Sequence, residues 1–338
     1  MIVLLKAGSG DREIEKVVEV AKKFDLGYHI SRGVERTIIG IIGDDRYLAI
    51  ESFEALECVE KVVRILKPYK LVAKEFKAED TTVDVGGIPI GNGYFTIIAG
   101  PCSIEGREMI LETADFLSSL GVKILRGGAF KPRTSPYSFQ GLGVKGLEYM
   151  REAADKYGMK IVSEALGQDT LDVVEEYVDM VQIGARNSQN FNLLKEVGER
   201  KKPILLKRGF MNTVEELLQS AEYIALQGNM NIVLCERGIR TFETSTRNTL
   251  DISAVPVIKS QSHLPVIVDP SHASGRRDLI IPLSKAAMAV GANGIMVEVH
   301  PRPEKALSDG KQSLNFKEFE ELMKTVKSLA KVMGVNLV

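Results

Sequence analysis

Eight short apolar runs, each followed by a stretch of helical spacing, fill the chain from about residue 94 to its C-terminus. No other feature restricts the possible folds so strongly. The runs begin near Phe95 (FTIIAG), Lys123 (KILRGG), Lys160 (KIVSEA), Met180 (MVQIGA), Pro203 (PILLKRG), Asn231 (NIVLCERG), Pro265 (PVIVDPS) and Gly294 (GIMVEVH). Helical segments such as Arg107–Leu120, Gly146–Tyr157, Val214–Leu226 and Leu279–Val290 lie between them, and a last helix is predicted over Phe316–Met333. Eight β-α units in about 240 residues match the count and length of a closed (β/α)8, or TIM, barrel over residues 94–338. A doubly wound open sheet is the competitor. It carries fewer parallel strands and a glycine-rich first turn, and no GxGxxG follows the first strand here.

Residues 1–75 read as a separate small α+β domain. MIVLLK is a predicted strand, and Asp11–Phe24 has helical spacing of Ile14, Val17, Val18 and Ala21. YHISRGVERTIIGIIG contains two β-rich stretches, Phe53–Leu66 is a predicted helix stopped by Pro68, and KLVAKEF is a predicted last strand. The order β-α-β-β-α-β is that of a ferredoxin-like domain. Residues 76–93 form a connector with two short β-like stretches, TVDV and IPIG, at the bottom of the barrel.

Charge and cysteine usage narrow the setting. The 44 basic and 45 acidic residues nearly cancel, which gives no support to a nucleic-acid or membrane-surface partner and requires any anion site to be local. No apolar run approaches the ~20 residues of a membrane span. The opening MIVLLKAGSGDREIE turns acidic too soon for a signal peptide. Cys58, Cys102 and Cys235 are widely spaced and odd in number, so a disulfide framework is not expected and a cytoplasmic, reducing location is.

In a TIM barrel the active site lies where the strands run out. Here almost every such end is charged or metal-competent, whereas the strand interiors are apolar. The cations are Arg126, Lys131, Arg133, Arg186, Lys207 and Arg237. Any one of them could simply pair with Glu164, Glu236 or Asp269. Six around one mouth instead predict a site for more than one phosphate or carboxylate group, Arg supplying bidentate contact and Lys a mobile point charge.

Cys102, His272 and Glu298 end the first, seventh and eighth strands, which closure makes neighbours. Singly, Cys102 reads as a small buried residue and His272 as a capping or core histidine. Together, thiolate, imidazole and carboxylate suit a borderline divalent transition metal. Asp309, in the dipeptide Asp309-Gly310, reads from the residues alone as a turn. The loop KPRTSPYSFQG after the second strand offers Lys131, Arg133, Thr134 and Ser135 as donors between stiffening prolines. His263 falls at the barrel bottom, Cys235 inside a strand and Cys58 inside a helix, all structural positions. His29 belongs to the small domain's surface.

These motifs, AGPCSIE, LRGGAFKPRTSPYSFQGLG, QIGARN, LLKRG, CERG, DPSHASG, MVEVHP and SDGKQSL, resemble the 3-deoxy-D-arabino-heptulosonate 7-phosphate (DAHP) synthases of type I, β subgroup. Some of these carry an N-terminal ferredoxin-like regulatory domain. Lys311 stands where related sequences often have proline. The resemblance implies condensation of phosphoenolpyruvate with erythrose 4-phosphate, the first step of the shikimate pathway. It implies Cys102, His272, Glu298 and Asp309 as ligands of one divalent metal (Mn, Fe, Zn, Co or Cd class). Arg126, Lys131, Arg186, Lys207 and Arg237 would hold phosphoenolpyruvate with the Ala185 amide, and Asp269 would belong to the same substrate site. Arg133, Thr134 and Ser135 would hold the sugar phosphate. Lys131, Cys102 and His272 would serve the chemistry.

Three rival readings remain. The sister 3-deoxy-D-manno-octulosonate 8-phosphate synthases share the fold, but their loop resembles KANRS where this chain has KPRTS. A Schiff-base aldolase using Lys207 would have no use for Cys102 and Glu298. A non-catalytic phosphate sensor would be expected to have lost a ligand or cation. The small domain further suggests inhibition by tyrosine or phenylalanine and a homo-oligomer, with a tetramer expected.

Overall fold

The computed structural model describes residues 1–32, 36–43, 50–63, 67–132 and 135–338. They form two compact units, Met1–Glu79 and Asp80–Val338.

In the small unit, β1 (Ile2–Leu5), α1 (Asp11–Lys23), β2 (Gly27–Arg32), β3 (Thr37–Ile42), α2 (Glu51–Glu54) and β4 (Val59–Val63) follow in chain order. The antiparallel sheet runs β2-β3-β1-β4, the ferredoxin-like arrangement. Helix α1 turns Ile14, Val17, Val18 and Ala21 onto this sheet, against Val3, Leu5, Ile39 and Ile41. Its acidic first turn and basic last turn both favour the helix dipole.

The second half of this unit departs from the sequence expectation. The helix predicted over Phe53–Leu66 stops after one turn at Glu54, and β4 takes Val59–Val63; Arg64–Leu66 lie outside the described residues. Val59 and Val62 are β-branched, and a bulge between their pairings with Leu5 and Val3 of β1 brings both onto the buried face despite their spacing of three. Cys58 therefore sits in the turn before β4, not in a helix. With the edge beside β1 already occupied by β4, KLVAKEF is left as turns, which bury Leu71, Val72, Ala73 and Phe76.

The large unit begins with a hairpin, β5 (Val83–Asp84) and β6 (Pro89–Ile90). Eight parallel strands follow: β7 (Tyr94–Gly100), β8 (Ile124–Arg126), β9 (Lys160–Ala165), β10 (Met180–Ile183), β11 (Ile204–Lys207), β12 (Ile232–Glu236), β13 (Val266–Val268) and β14 (Gly294–Glu298). Each pairs with the next, and β14 pairs with β7, closing the barrel. The main helices are α3 (Arg107–Ser119), α4 (Val144–Tyr157), α5 (Gln168–Tyr177), α6 (Phe191–Gly198), α7 (Val214–Ala225), α8 (Ala254–Gln261), the short α9 (Pro270–Ser274), α10 (Ile280–Ala289) and α11 (Phe316–Met333). Capping boxes start α7 at Thr213 and Glu216 and α11 at Asn315 and Glu318. A terminal strand, β15 (Asn336–Leu337), pairs with the start of β7.

The lumen is solid. Ile98, Ile124, Val162, Met180, Leu205, Val233, Ile267 and Met296, one from each strand, pack with Val83, Val85 and Ile90 of the hairpin, which plugs the lower end. His263 is buried near the same hairpin, its Nδ1 2.8 Å from the Thr81 hydroxyl.

Candidate active site

Side chains on a strand alternate between its two faces, so the residue two positions beyond each lumen residue also points inward, one layer higher. Counting two on from the apolar layer gives Gly100, Arg126, Glu164, Gln182, Lys207, Cys235, Asp269 and Glu298. The barrel therefore passes within one layer from wholly apolar to largely ionic. Charges so buried are costly unless paired. The pairs exist: Arg126 Nη1 donates to Glu298 Oε1 at 2.8 Å, Lys207 Nζ to Asp269 Oδ2 at 2.5 Å, and Gln182 Nε2 to Glu164 Oε2 at 3.1 Å. Two glycines make room for this layer. A Cβ on Gly100 would meet the Arg126 carbonyl at 2.0 Å, and one on Gly184 would meet Glu164 Oε1 at 1.9 Å.

Above this floor lies a cavity of about 260 Å³. Its cationic lining is Arg126, Lys131, Arg186, Lys207, Arg237 and Arg247, against the carboxylates of Glu164 and Asp309. Ser135, Ala185 and His272 also line it. Ala185 opens a single 3-10 turn, Ala185–Asn187, whose first internal bond runs from Asn187 N to Gly184 O, so the turn itself does not consume the Ala185 amide. Asp269 does not reach the cavity: it is fully buried beneath it, bound to Lys207 and His272. Arg133 and Thr134 lie outside the described residues.

One wall is metal-competent. Among the described residues, Cys102, Glu298 and Asp309 present ligand atoms that all lie within 4.8 Å of one another. His272 Nε2 stands 3.3 Å from Glu298 Oε1 and 3.9 Å from Asp309 Oδ2, while its Nδ1 is 2.7 Å from Asp269 Oδ2. A carboxylate behind one imidazole nitrogen, aiming the other at thiol and carboxylate, is how metal-binding histidines are oriented. The donor set thus fits a borderline divalent transition metal. Asp309 holds a left-handed backbone (φ 48°), which a non-glycine residue adopts at a cost, and its side chain accepts from Arg247 Nη1 at 3.2 Å.

The protonation states follow from burial against charge. Burial pushes the Cys102 thiol up to about 11, the neighbouring Glu298 carboxylate adding to the effect and Lys131 opposing it. Burial lowers His272, outweighing Asp269 and Glu298, so its imidazole is neutral at pH 7. Asp269 is ionised despite its burial, because hydrogen bonds from His272 and the Lys207 ammonium hold it well below the usual carboxylate value. Asp309 is likewise held at about 2 against burial, by His272 and Arg247. Lys131 joins the two halves of the site: its Nζ donates to the Cys102 carbonyl at 2.9 Å and stands 3.2 Å from Sγ.

Of the predicted cations, Arg126 and Lys207 are ion-paired internally, whereas among the described residues Arg186 and Arg237 enter no ion pair. Arg208 is a buried support, bonded to Glu236 at 2.7 Å and Asp251 at 2.9 Å. The sequence reading missed Arg247, which also donates to Gln312 Oε1 at 2.8 Å, and Gln312 itself, which donates to Glu298 Oε2 at 2.7 Å. It also missed Gln182 and the ring of Phe210. Gln182 was detectable from strand alternation alone. The other three leave no comparable sequence signal.

A closed barrel with a cation-lined cavity set against a metal-competent wall has the architecture of an enzyme site suited to anionic substrates. The DAHP synthetase I family profile matches residues 72–334, and the DAHP synthase ferredoxin-like domain profile matches residues 1–67. The chain belongs to the DAHP synthetase I family. It is 69% identical over 337 residues to a phospho-2-dehydro-3-deoxyheptonate aldolase of Thermotoga maritima, covering 100% of both chains. A crystal structure of that enzyme superposes with a TM-score of 0.81 at 68% identity, over 100% of this chain and 99% of the other. A 2-dehydro-3-deoxyphosphooctonate aldolase of Francisella philomiragia is 32% identical over 269 residues, 73% of this chain and 97% of that protein. Among the described residues, no helix is long and apolar enough to cross a membrane.

Proposed function

We propose that this chain condenses phosphoenolpyruvate with D-erythrose 4-phosphate and water to 3-deoxy-D-arabino-heptulosonate 7-phosphate and phosphate, the first step of the shikimate pathway, with one divalent transition metal per subunit. Family membership supports the condensation. The observation that carries the rest is Lys131, whose ammonium touches the metal-competent wall while lining the anion cavity.

Cys102, His272, Glu298 and Asp309 would hold the metal, which when bound supplies a Lewis acid to polarise the aldehyde or orient a water. The chain's own residues do the remainder. Arg126, Arg186, Lys207, Arg237 and the Ala185 amide bind the phosphate and carboxylate of phosphoenolpyruvate. Arg133, Thr134 and Ser135 bind the phosphate of the sugar. So held, C3 of phosphoenolpyruvate forms a bond to the aldehyde carbon, and Lys131 donates a proton to the oxygen as it becomes an alkoxide. Water adds at C2, and the resulting hemiketal breaks its C–O bond to phosphate. Asp269 keeps Lys207 and His272 in place.

The deciding experiment follows phosphoenolpyruvate consumption with erythrose 4-phosphate or arabinose 5-phosphate, before and after a strong chelator. Turnover with the four-carbon sugar, lost on chelation and restored by metal, is expected. Turnover with only the five-carbon sugar, or turnover indifferent to chelation, would overturn the corresponding part. The small unit is proposed to bind tyrosine or phenylalanine as inhibitor, in a homotetramer. Removing residues 1 to about 75 should then abolish inhibition and leave activity, and full inhibition of the shortened chain would refute it.

A further inference from the structure

Arg126 and Lys207 are placed by carboxylates, which also cancel their charge. Arg186 and Arg237 are placed differently. Among the described residues neither enters an ion pair, and both guanidinium groups lie over the ring of Phe210, 5.5 and 4.9 Å from its centroid; Arg237 also donates to the neutral carbonyls of Gly238 and His272 at 3.2 Å each. Arg240 approaches the same ring at 4.7 Å and is also outside any such pair. Three cations thus share one aromatic ring that itself lines the cavity. The arrangement follows from strand order: Arg186 comes from the end of β10, Phe210 from just beyond β11, and Arg237 and Arg240 from beyond β12, three adjacent strands.

We propose that Phe210 is a positioning residue of the anion site, its ring holding Arg186 and Arg237 over the cavity in place of a carboxylate, so that their charge remains available to a substrate phosphate. This inference rests on the phosphoenolpyruvate site described above. The negative face of an aromatic ring attracts a guanidinium without contributing net charge. A carboxylate would fix the arginines equally well but would compete with the incoming phosphate.

The ring sits on a rigid base. Arg208 Nε donates to Asn212 O at 2.7 Å, Asn212 Nδ2 to Ser188 Oγ at 3.2 Å, and Arg240 N to Phe210 O at 2.7 Å, tying the loops after β10, β11 and β12 together. A Cβ on Gly209 would stand 2.3 Å from Asn212 Oδ1, so glycine between Arg208 and Phe210 leaves the Asn212 side chain in place to bridge to Ser188. The arginines are thus organised before the ligand arrives, and Arg240, exposed at the rim, extends the positive field outward.

The test compares Phe210→Leu, which keeps apolar bulk, with Phe210→Tyr, which keeps the ring face. Binding of inorganic phosphate and of phosphoenolpyruvate to the full-length, metal-replete protein is measured by calorimetry beside steady-state kinetics. Phe210→Leu should weaken both anions about tenfold and raise KM for phosphoenolpyruvate about tenfold with kcat little changed, and Phe210→Tyr should stay within about twofold of the parent. Leu binding as tightly as the parent would overturn the proposal, as would Tyr proving as weak as Leu, which would mark a packing effect. Should Phe210→Leu fail to fold, Phe210→Met supplies the same contrast. A parent that binds phosphate but not phosphoenolpyruvate would retire the functional reading while leaving the Leu–Tyr comparison on phosphate decisive for Phe210.

Discussion

Replacing Asp269 with asparagine tests the double support beneath the site. The side chain is fully buried, 2.5 Å from Lys207 Nζ and 2.7 Å from His272 Nδ1, and its other oxygen accepts from the His272 amide at 2.9 Å. Asparagine keeps the shape and one acceptor but removes the charge facing a buried ammonium. Removing one partner of a buried ion pair costs ~3–5 kcal/mol, because the other charge is left uncompensated. With one acceptor retained, the lower figure of about 3 kcal/mol is expected. The same change loosens the aim of His272 Nε2, and losing such support typically costs ~10–100-fold in metal affinity. Unfolding by urea, followed by circular dichroism because the chain has no tryptophan, measures the first effect. Competition with a chromophoric chelator measures the second. Glu236→Gln is the control: it breaks the buried pair with Arg208, 2.7 Å apart, which keeps Asp251 at 2.9 Å, and should destabilise less without changing metal affinity. If Asp269→Asn leaves metal affinity at the parental value, or if Glu236→Gln lowers it equally, the assignment of Asp269 to His272 is wrong.

Three further outcomes follow from the same geometry. Lys131→Met should lower kcat by ~10²–10⁴ through loss of proton donation while metal content, measured by atomic absorption, is unchanged; retained turnover would remove Lys131 from the chemistry. Ligation of the proposed metal by Cys102 would need its thiolate, and the thiol is raised to about 11, so binding below that pH should release a proton. His272 is already neutral and adds none, so apparent affinity should rise about tenfold per pH unit between about 6.5 and 8.5 in chelator competition, and a flat profile would count against thiolate ligation. Ile90→Ala, in the fully buried hairpin plug, should cost ~2–5 kcal/mol in urea unfolding and leave both KM values unchanged; altered KM would mean that the plug communicates with the site.

The barrel was legible because each strand is buried on both faces and reads as one apolar run, and because its next inward layer begins where that run ends. Arg126, Lys207, Asp269 and Glu298 are therefore placed at the strand ends by the sequence pattern itself. The small unit was less legible. Phe53–Leu66 has apolar spacing compatible with either period, and pairing of Val59–Val63 with β1 decided it, a long-range contact that local propensity does not contain. Loop residues were the least legible. Arg247 lies 62 positions from Asp309 and Phe210 lies 24 from Arg186, so only folding makes them partners.

The same distinction separates two kinds of cation in the site. Those on strands, Arg126 and Lys207, are buried at the cavity floor and are paired by carboxylates of the same layer, so they are already partly neutralised before a ligand arrives. Arg186, beyond its strand, and Arg237, just past the end of β12, border the cavity over the ring of Phe210, and Arg237 also donates to the Gly238 and His272 carbonyls at 3.2 Å each. In the proposed reaction the strand cations would fix the floor on which the substrate is oriented, whereas the two arginines, outside any ion pair among the described residues, would supply most of the attraction for its phosphate. Neutralising Arg186 should accordingly weaken anion binding with little effect on stability, whereas neutralising Lys207 should cost stability as well, because it strands Asp269 without its ammonium.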